Sequence, residues 1–374
     1  MSNESGTVLI TGATGFVGME VLARYLERGE RPVVAFVRAA DDAAAKARIE
    51  SVLWNLYGRA GEHYAHRVSA LAADLTTPDL GLERGHVDRL TDSVTTIVHS
   101  AASISFALPI DEARAINVDG TRRMLDLAQR VNQRDALRRY AHVSTAYVCG
   151  NHAGRFGEAD LDLGQSFHNS YEQSKFEGEQ LVRAHTELPW TILRPSIVVG
   201  DRRSGWTSAF NVLYWPLRAF SRGLFTAVPA VESAPVDVVS IDYVADAIYE
   251  LCERPHGVGE TFHLTAGANA STMGEIAALA SRYFRRPLPR VLPPAEFAAL
   301  AEADASMAAL ENSSIYFPYF SIRAVFDDTL TRARLTPVGI QTSPLRDYME
   351  RLLDFATRSR WGKRPIARAD ALVV

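Results

Sequence analysis

Tyr171 and Lys175 stand four residues apart in "NSYEQSKFEG", and the surrounding spacing is helical, so both side chains share a face. A phenol titrates at about 10 in water, too high to exchange protons readily at neutral pH. A neighbouring ammonium favours the phenolate, which would make the pair a general acid/base for a carbonyl under reduction. Such pairs also recur on ordinary helix surfaces. Two observations weight this one toward chemistry. The preceding strand ends in "HVSTAYVCG", which supplies the hydroxyls Ser144 and Thr145. The chain also holds only three lysines, Lys46, Lys175 and Lys363, against a background of arginine.

A second constellation lies near the start. "TGATGFVG" places Gly12, Gly15 and Gly18 between a strand pattern, "TVLIT", and a helix pattern, "FVGMEVLARYLERG". Glycines there let backbone N–H groups approach a pyrophosphate at the positive end of a helix. Thr14, Phe16 and Val17 complete the expected cofactor loop. The spacing is GxxGxxG rather than the commoner GxGxxG. The second strand ends in "FVRAADD". Its Arg38 cannot accept from a ribose hydroxyl but can pair with a 2′-phosphate, which favours NADPH over NADH. Arg48 on the next helix is placed to assist, while Asp41 and Asp42 read as caps of that helix. Asp74 and Leu75, after the third strand, are expected near adenine. Ser100, Ala101 and Ala102 of "HSAAS" lie where the sheet's crevice should pass.

These groups need a scaffold that brings strand ends together. Strand and helix patterns alternate through the first two hundred residues, closing with "RYAHVSTAYV", the helix of Tyr171, and "WTILRPSIVVG" as a sixth strand. "DEARAINVDGTRRMLDLAQRV" reads as one long helix. Continuous apolar strands in this alternation predict an α/β fold, a doubly wound parallel sheet of Rossmann type. After Gly200 the rhythm breaks. "PVDVVSIDYVADAIYELCE" returns one strand and one helix, and "ETFHLT" one more strand. From Ser271 helices dominate, with "PYF" (Pro318 to Phe320) in a loop. The expected division is a cofactor domain at 1–201 plus about 235–265. A smaller, mostly helical substrate lobe takes about 202–234 plus 266–374. Its aromatic segment, with Tyr214, Trp215, Phe220 and Phe225, is a candidate channel lining or ordinary packing.

Composition narrows the rest. Of 374 residues 47% are apolar and 22% charged, an ordinary globular balance. A net charge of −4 offers no overall attraction to nucleic acid or anionic membrane. Two cysteines, Cys149 and Cys252, with no metal spacing suggest a reducing compartment. No secretory pattern and no transmembrane run of about 18 apolar residues is visible, so the expected location is cytoplasmic. No metal site is expected. The stretch "RSRWGKRPIAR" is basic, either a solvated tail or a contact for an acidic partner.

"TGATGFVG", "HSAAS", "NVDGT", "STAYV", "YEQSK" and "LRPSIVVGD" together resemble the extended short-chain dehydrogenase/reductases, over most of the chain up to about Leu264. The resemblance implies Thr145 rather than Ser144 as partner of Tyr171 and Lys175. It implies that Asn117 supports the fold and a catalytic water network. It also implies that Pro195, Ser196, Ile197 and Val198 lie against a nicotinamide. "FVRAADDAAAKARI", "ADLTTPDLGL", "VHSAASISF" and "YFPYFS" are similar to the thioester reductase and fatty acyl-CoA reductase branch, the male sterility-type subgroup. That likeness implies NADPH-dependent reduction of an acyl thioester to an aldehyde, with the alcohol as a further step. The thioester would come from coenzyme A or from a separate carrier protein. Two rivals remain at this stage: an NADP(H)-dependent ketoreductase or secondary alcohol dehydrogenase, and a non-catalytic NADP(H) sensor.

Overall fold

The computed structural model describes residues 6–224, 226–303 and 316–371. The first half builds β1 (Thr7–Thr11), α1 (Phe16–Arg28), β2 (Val33–Val37), α2 (Asp42–Tyr57) and β3 (Val68–Ala72). It continues with α3 (Arg84–Ser93), β4 (Val94–His99), α4 (Ile110–Asn117), α5 (Asp119–Asn132) and β5 (Arg139–Val143). Then come β6 (Gly154–Phe156), α6 (Ser170–Ala184), β7 (Trp190–Pro195) and β8 (Ile197–Val199). The second half begins with α7 (Tyr214–Ser221), β9 (Ala227–Pro229), β10 (Pro235–Val236), β11 (Val238–Ser240), α8 (Ile241–Glu253) and β12 (Glu260–Leu264). It ends with β13 (Ser271–Thr272), α9 (Met273–Phe284), β14 (Arg290–Leu292), α10 (Pro294–Ala303) and β15 (Ala324–Phe326). The last helices are α11 (Thr329–Leu335), α12 (Met349–Arg358) and α13 (Arg368–Ala371).

Seven strands pair in parallel in the order β12-β7-β5-β4-β1-β2-β3. This is the doubly wound α/β sheet that the alternation predicts. The β-branched runs bury both faces: α1, α2 and α8 pack on one side, α3, α5 and α6 on the other. The chain leaves β1 in one direction and reaches β4 in the other, so a crevice opens at their shared carboxyl ends. A separate apolar cluster, with Phe220, Ile276, Tyr319 and Leu352, fills the smaller lobe.

Three expectations change. The long helix is two, α4 and α5, which meet at Val118, and beside that junction the Thr121 hydroxyl donates to the Asn117 carbonyl at 2.7 Å. The sixth strand also splits at Ser196. Pro195 ends pairing with β12, and the chain then pairs β8 with β11. "PYF" is no open loop: residues 316–320 form a helical turn that buries Tyr319 and Phe320. No helix among the described residues is long and apolar enough to cross a membrane.

Candidate active site

A cleft of about 780 Å³ opens over the carboxyl ends of the strands. Gly12 lines it after β1, Arg38 after β2, Asp74 after β3, Ser100 after β4, Thr145 after β5 and Ser196 after β7. Thr14, Gly15, Phe16, Val17, Gly18, Arg48, Leu75, Ala101, Ala102, Tyr171, Lys175, Pro195, Ile197 and Val198 line it as well. One sequence candidate does not. Asn117 is buried behind the wall, where its amide exchanges hydrogen bonds with the Ser103 N–H (2.8 Å) and carbonyl (3.0 Å) and donates to Ser174 Oγ (2.9 Å). It braces the loop after β4, the fold-supporting part expected of it.

Two glycines of the first loop are required by the fold. Gly12 has φ +77, and a Cβ there would lie 2.8 Å from the Ala101 nitrogen. A Cβ on Gly18 would come 2.2 Å from the Gly12 carbonyl oxygen. α1 starts at Gly15 with no side-chain cap and no acidic residue in its first turn, so its N–H groups are left to an anion. The Arg48 guanidinium donates to the Arg38 carbonyl and to Thr14 Oγ1, gathering two arginines at one end of the cleft. The acids that follow them are committed elsewhere. Asp41 caps α2 through the Ala44 N–H, and Asp42 accepts from the Ala72 N–H. Asp74 accepts from the Thr76 N–H and hydroxyl, which hold its carboxyl below the usual range. Loop, helix end and arginines together fit a dinucleotide.

Around Tyr171 the two neighbouring hydroxyls part company. Ser144 Oγ donates to the buried Glu179 carboxylate at 2.9 Å. Thr145 lines the cleft with Tyr171, and its Oγ1 accepts from the Tyr147 N–H at 3.3 Å and donates to the Pro195 carbonyl at 3.5 Å. Burial pushes the Tyr171 phenol up to about 12, against the pull of Thr145 and with help from Glu172. This corrects the expectation of a phenol lowered by Lys175. The ammonium is occupied: Nζ donates to the Val143 carbonyl at 2.8 Å and lies 3.4 Å from His142 Nε2. His99 and His142 remain neutral, both pushed down by burial and then by Lys175.

Burial also lowers Lys175 to about 8, partly opposed by Glu179. Its folded value therefore lies below its unfolded one, and between about 8 and 10.5 the unfolded chain binds more protons. Stability should rise with pH across that window, by up to about 3 kcal/mol. Lys175→Met should remove the rise and stabilise the protein at pH 7. Urea unfolding of both proteins at pH 7 and 10 checks this; an unchanged slope in the variant would contradict it.

The far wall escaped the sequence reading. Phe106 stacks on Tyr319 at 5.0 Å, meets Tyr171 at 5.6 Å and meets Tyr316 at 5.5 Å. Tyr147 packs edge-on against Tyr319 at 4.9 Å. All of these line the cleft. By contrast, Tyr214 and Phe220 are buried in the small lobe, Trp215 is 42% exposed, and none of the three lines the cleft. Phe225 lies outside the described residues. Packing, not a channel, explains the α7 aromatics.

Residues 10–248 match the family model described as male sterility protein, an NAD-binding family. The chain belongs to that family. It is 31% identical over 281 residues to a carboxylic acid reductase of Segniliparus rugosus, covering 67% of this chain and 23% of that protein. It is 27% identical over 322 residues to fatty acyl-CoA reductase 1 of Xenopus laevis, covering 75% of this chain and 62% of the relative. The chain thus spans under two thirds of either. The terminal R domain from the myxalamid PKS-NRPS biosynthetic pathway superposes with a TM-score of 0.82 at 27% identity, over 97% of this chain and 93% of that one. Family members of this kind are reductases, and the chain is an oxidoreductase of the extended short-chain dehydrogenase/reductase type.

Proposed function

We propose that this chain reduces an acyl thioester to an aldehyde with NADPH. The observation that carries the reading is the placement of Tyr171 and Thr145 between a dinucleotide-shaped loop and an aromatic wall. Residues 1–201 and about 235–265 would hold the cofactor, and the remaining lobe the acyl group. The glycine loop and α1 would bind the phosphates, Arg38 and Arg48 the 2′-phosphate, and Asp74 and Leu75 the adenine side. Lys175 would hold the ribose, and Pro195 to Val198 would flank the nicotinamide.

When bound, the reduced dinucleotide supplies the two electrons and hydrogen that the carbonyl carbon takes up. Thr145 and Tyr171 hydrogen-bond the oxygen as it gains charge, the largest single contribution expected of such a site. Because burial keeps Tyr171 protonated, it is ready to donate its phenolic proton at neutral pH. The resulting thiohemiacetal expels its thiol, and the aldehyde remains. A proton from solvent then returns the phenolate to phenol.

The test is NADPH oxidation with simultaneous free-thiol assay on acyl-CoA, acyl-carrier and ketone substrates. Oxidation on ketones alone would make the protein a ketoreductase, and tight binding without turnover a sensor. For the cofactor, Arg38→Ala should cut the preference for NADPH over NADH about 10- to 100-fold, the loss of one charge-assisted contact. An unchanged ratio of the two kcat/KM values would mean that the phosphate is read elsewhere.

A further inference from the structure

The chain's net charge is −4, yet residues 214–223, 282–290 and 358–364 carry ten arginines and lysines and no aspartate or glutamate. The three segments are remote in sequence and meet in space. The Phe220 and Phe284 rings stand 6.3 Å apart, and Phe284 and Trp361 6.4 Å. Arg286 donates through Nε and Nη2 to the Ser221 carbonyl at 3.0 and 2.8 Å. Arg222, Arg285, Arg290, Arg360, Lys363 and Arg364 of these segments are exposed. Among the described residues, Arg282 alone of the ten has an ion-pair partner, Glu350 on α12 at 3.2 Å. Asp354, also on α12, accepts from the Tyr283 hydroxyl at 2.6 Å.

Ten like charges in one region repel one another, and solvation alone gives no reason to gather them. Apolar side chains stand among them: Trp215 is 42%, Leu224 40% and Leu288 61% exposed. Arginine mixed with exposed aromatic and aliphatic groups is the composition of a docking surface. Its position matters as much. Ala209, Asn211 and Val212 line the cleft, and α7 begins two residues later. Arg218 and Arg222 therefore lie only about 6 and 12 Å along the helix axis from its first residue. Phe210, between the lining residues, sits against Gly362, where a Cβ would come within 2.8 Å of its ring.

We propose that this face docks a protein with an acidic surface that carries the acyl thioester on a flexible arm. The proposal rests on the thioester reading above and names its partner class. Opposite charge steers encounter and fixes orientation, so the arm enters the cleft beside α7. An anionic membrane is less suited, because the apolar groups come from separate segments rather than from one amphipathic helix stripe.

The test compares wild type with Arg222→Glu/Arg285→Glu/Arg364→Glu and the milder glutamine triple variant, each checked for an unchanged melting temperature. Substrates are octanoyl-loaded bacterial acyl carrier protein, octanoyl-CoA and uncharged octanoyl-pantetheine. Fluorescence anisotropy of labelled carrier protein reads binding independently of turnover. The expected result is binding by wild type at low salt, weakened tenfold or more in the glutamate variant, with a parallel loss of kcat/KM on the carrier substrate. Turnover of octanoyl-pantetheine should be unchanged. Carrier binding that is absent in wild type, or equal in wild type and variant, would overturn the proposal. So would a loss confined to octanoyl-CoA, which would make the face a coenzyme A phosphate site. Capture by phosphatidylglycerol vesicles without carrier binding would reassign it to a membrane. If no thioester is reduced, the functional reading falls, while the anisotropy still decides the docking.

Discussion

Tyr171→Phe is expected to lower kcat by about 10²- to 10⁴-fold while NADPH binding survives, the range that a positioned proton donor contributes. The change removes one oxygen from a ring that packs against Phe106 at 5.6 Å. The wall therefore stays in place and only the proton is lost. Because burial holds the phenol at about 12, wild-type activity should not depend on Tyr171 ionising near neutrality. Stopped-flow turnover together with a dinucleotide titration separates the two effects. Near-normal kcat in the variant would remove Tyr171 from the chemistry. Equal losses of turnover and NADPH affinity would make it a binding residue instead.

The largest expected effect on stability lies one turn beyond Lys175. Glu179 is fully buried and receives a two-pronged contact from the fully buried Arg194, at 2.5 Å (Nη2) and 3.0 Å (Nε). Burial pushes its carboxyl up, but Arg194, Arg183 and the Ser144 hydroxyl outweigh this, so it stays below the usual range. Glu179→Ala would leave the Arg194 charge buried without its carboxylate and cost about 3–5 kcal/mol. Replacing both partners, with Glu179→Leu and Arg194→Met, should recover most of that loss, since an apolar pair avoids the desolvation cost. Denaturant unfolding measures both. A single-variant loss below about 1 kcal/mol would contradict the account. The pair also matters to the site, because α6 carries Tyr171 and Lys175 while Arg194 precedes Pro195 on the cleft wall.

What the residues reveal in advance follows from how local their signals are. The glycine loop, the parallel strands and the Tyr171–Lys175 pair are written in short stretches whose spacing constrains the backbone directly. The choice between Ser144 and Thr145 is not local. It depends on Glu179 taking up Ser144, and a glutamate four residues after a lysine reads as a surface pair until Arg194 buries it from β7. The aromatic wall is further beyond reach, because Phe106 and Tyr319 are 213 positions apart and meet only through the closing of the lobe. The division of the long helix is hidden for a different reason. Its composition is helical throughout, and nothing local in the sequence marks the junction at Val118. The basic face combines both cases: its last segment is visible in "RSRWGKRPIAR", but its convergence with α7 and the end of α9 is not.

The central claim is that the carbonyl reduced is a thioester. Its most direct measurement is free thiol released per NADPH oxidised, with an acyl thioester as sole substrate. The account predicts one thiol per NADPH if reduction stops at aldehyde, or one per two if it continues to alcohol. NADPH oxidation with no thiol released, or oxidation supported by ketones alone, would contradict it.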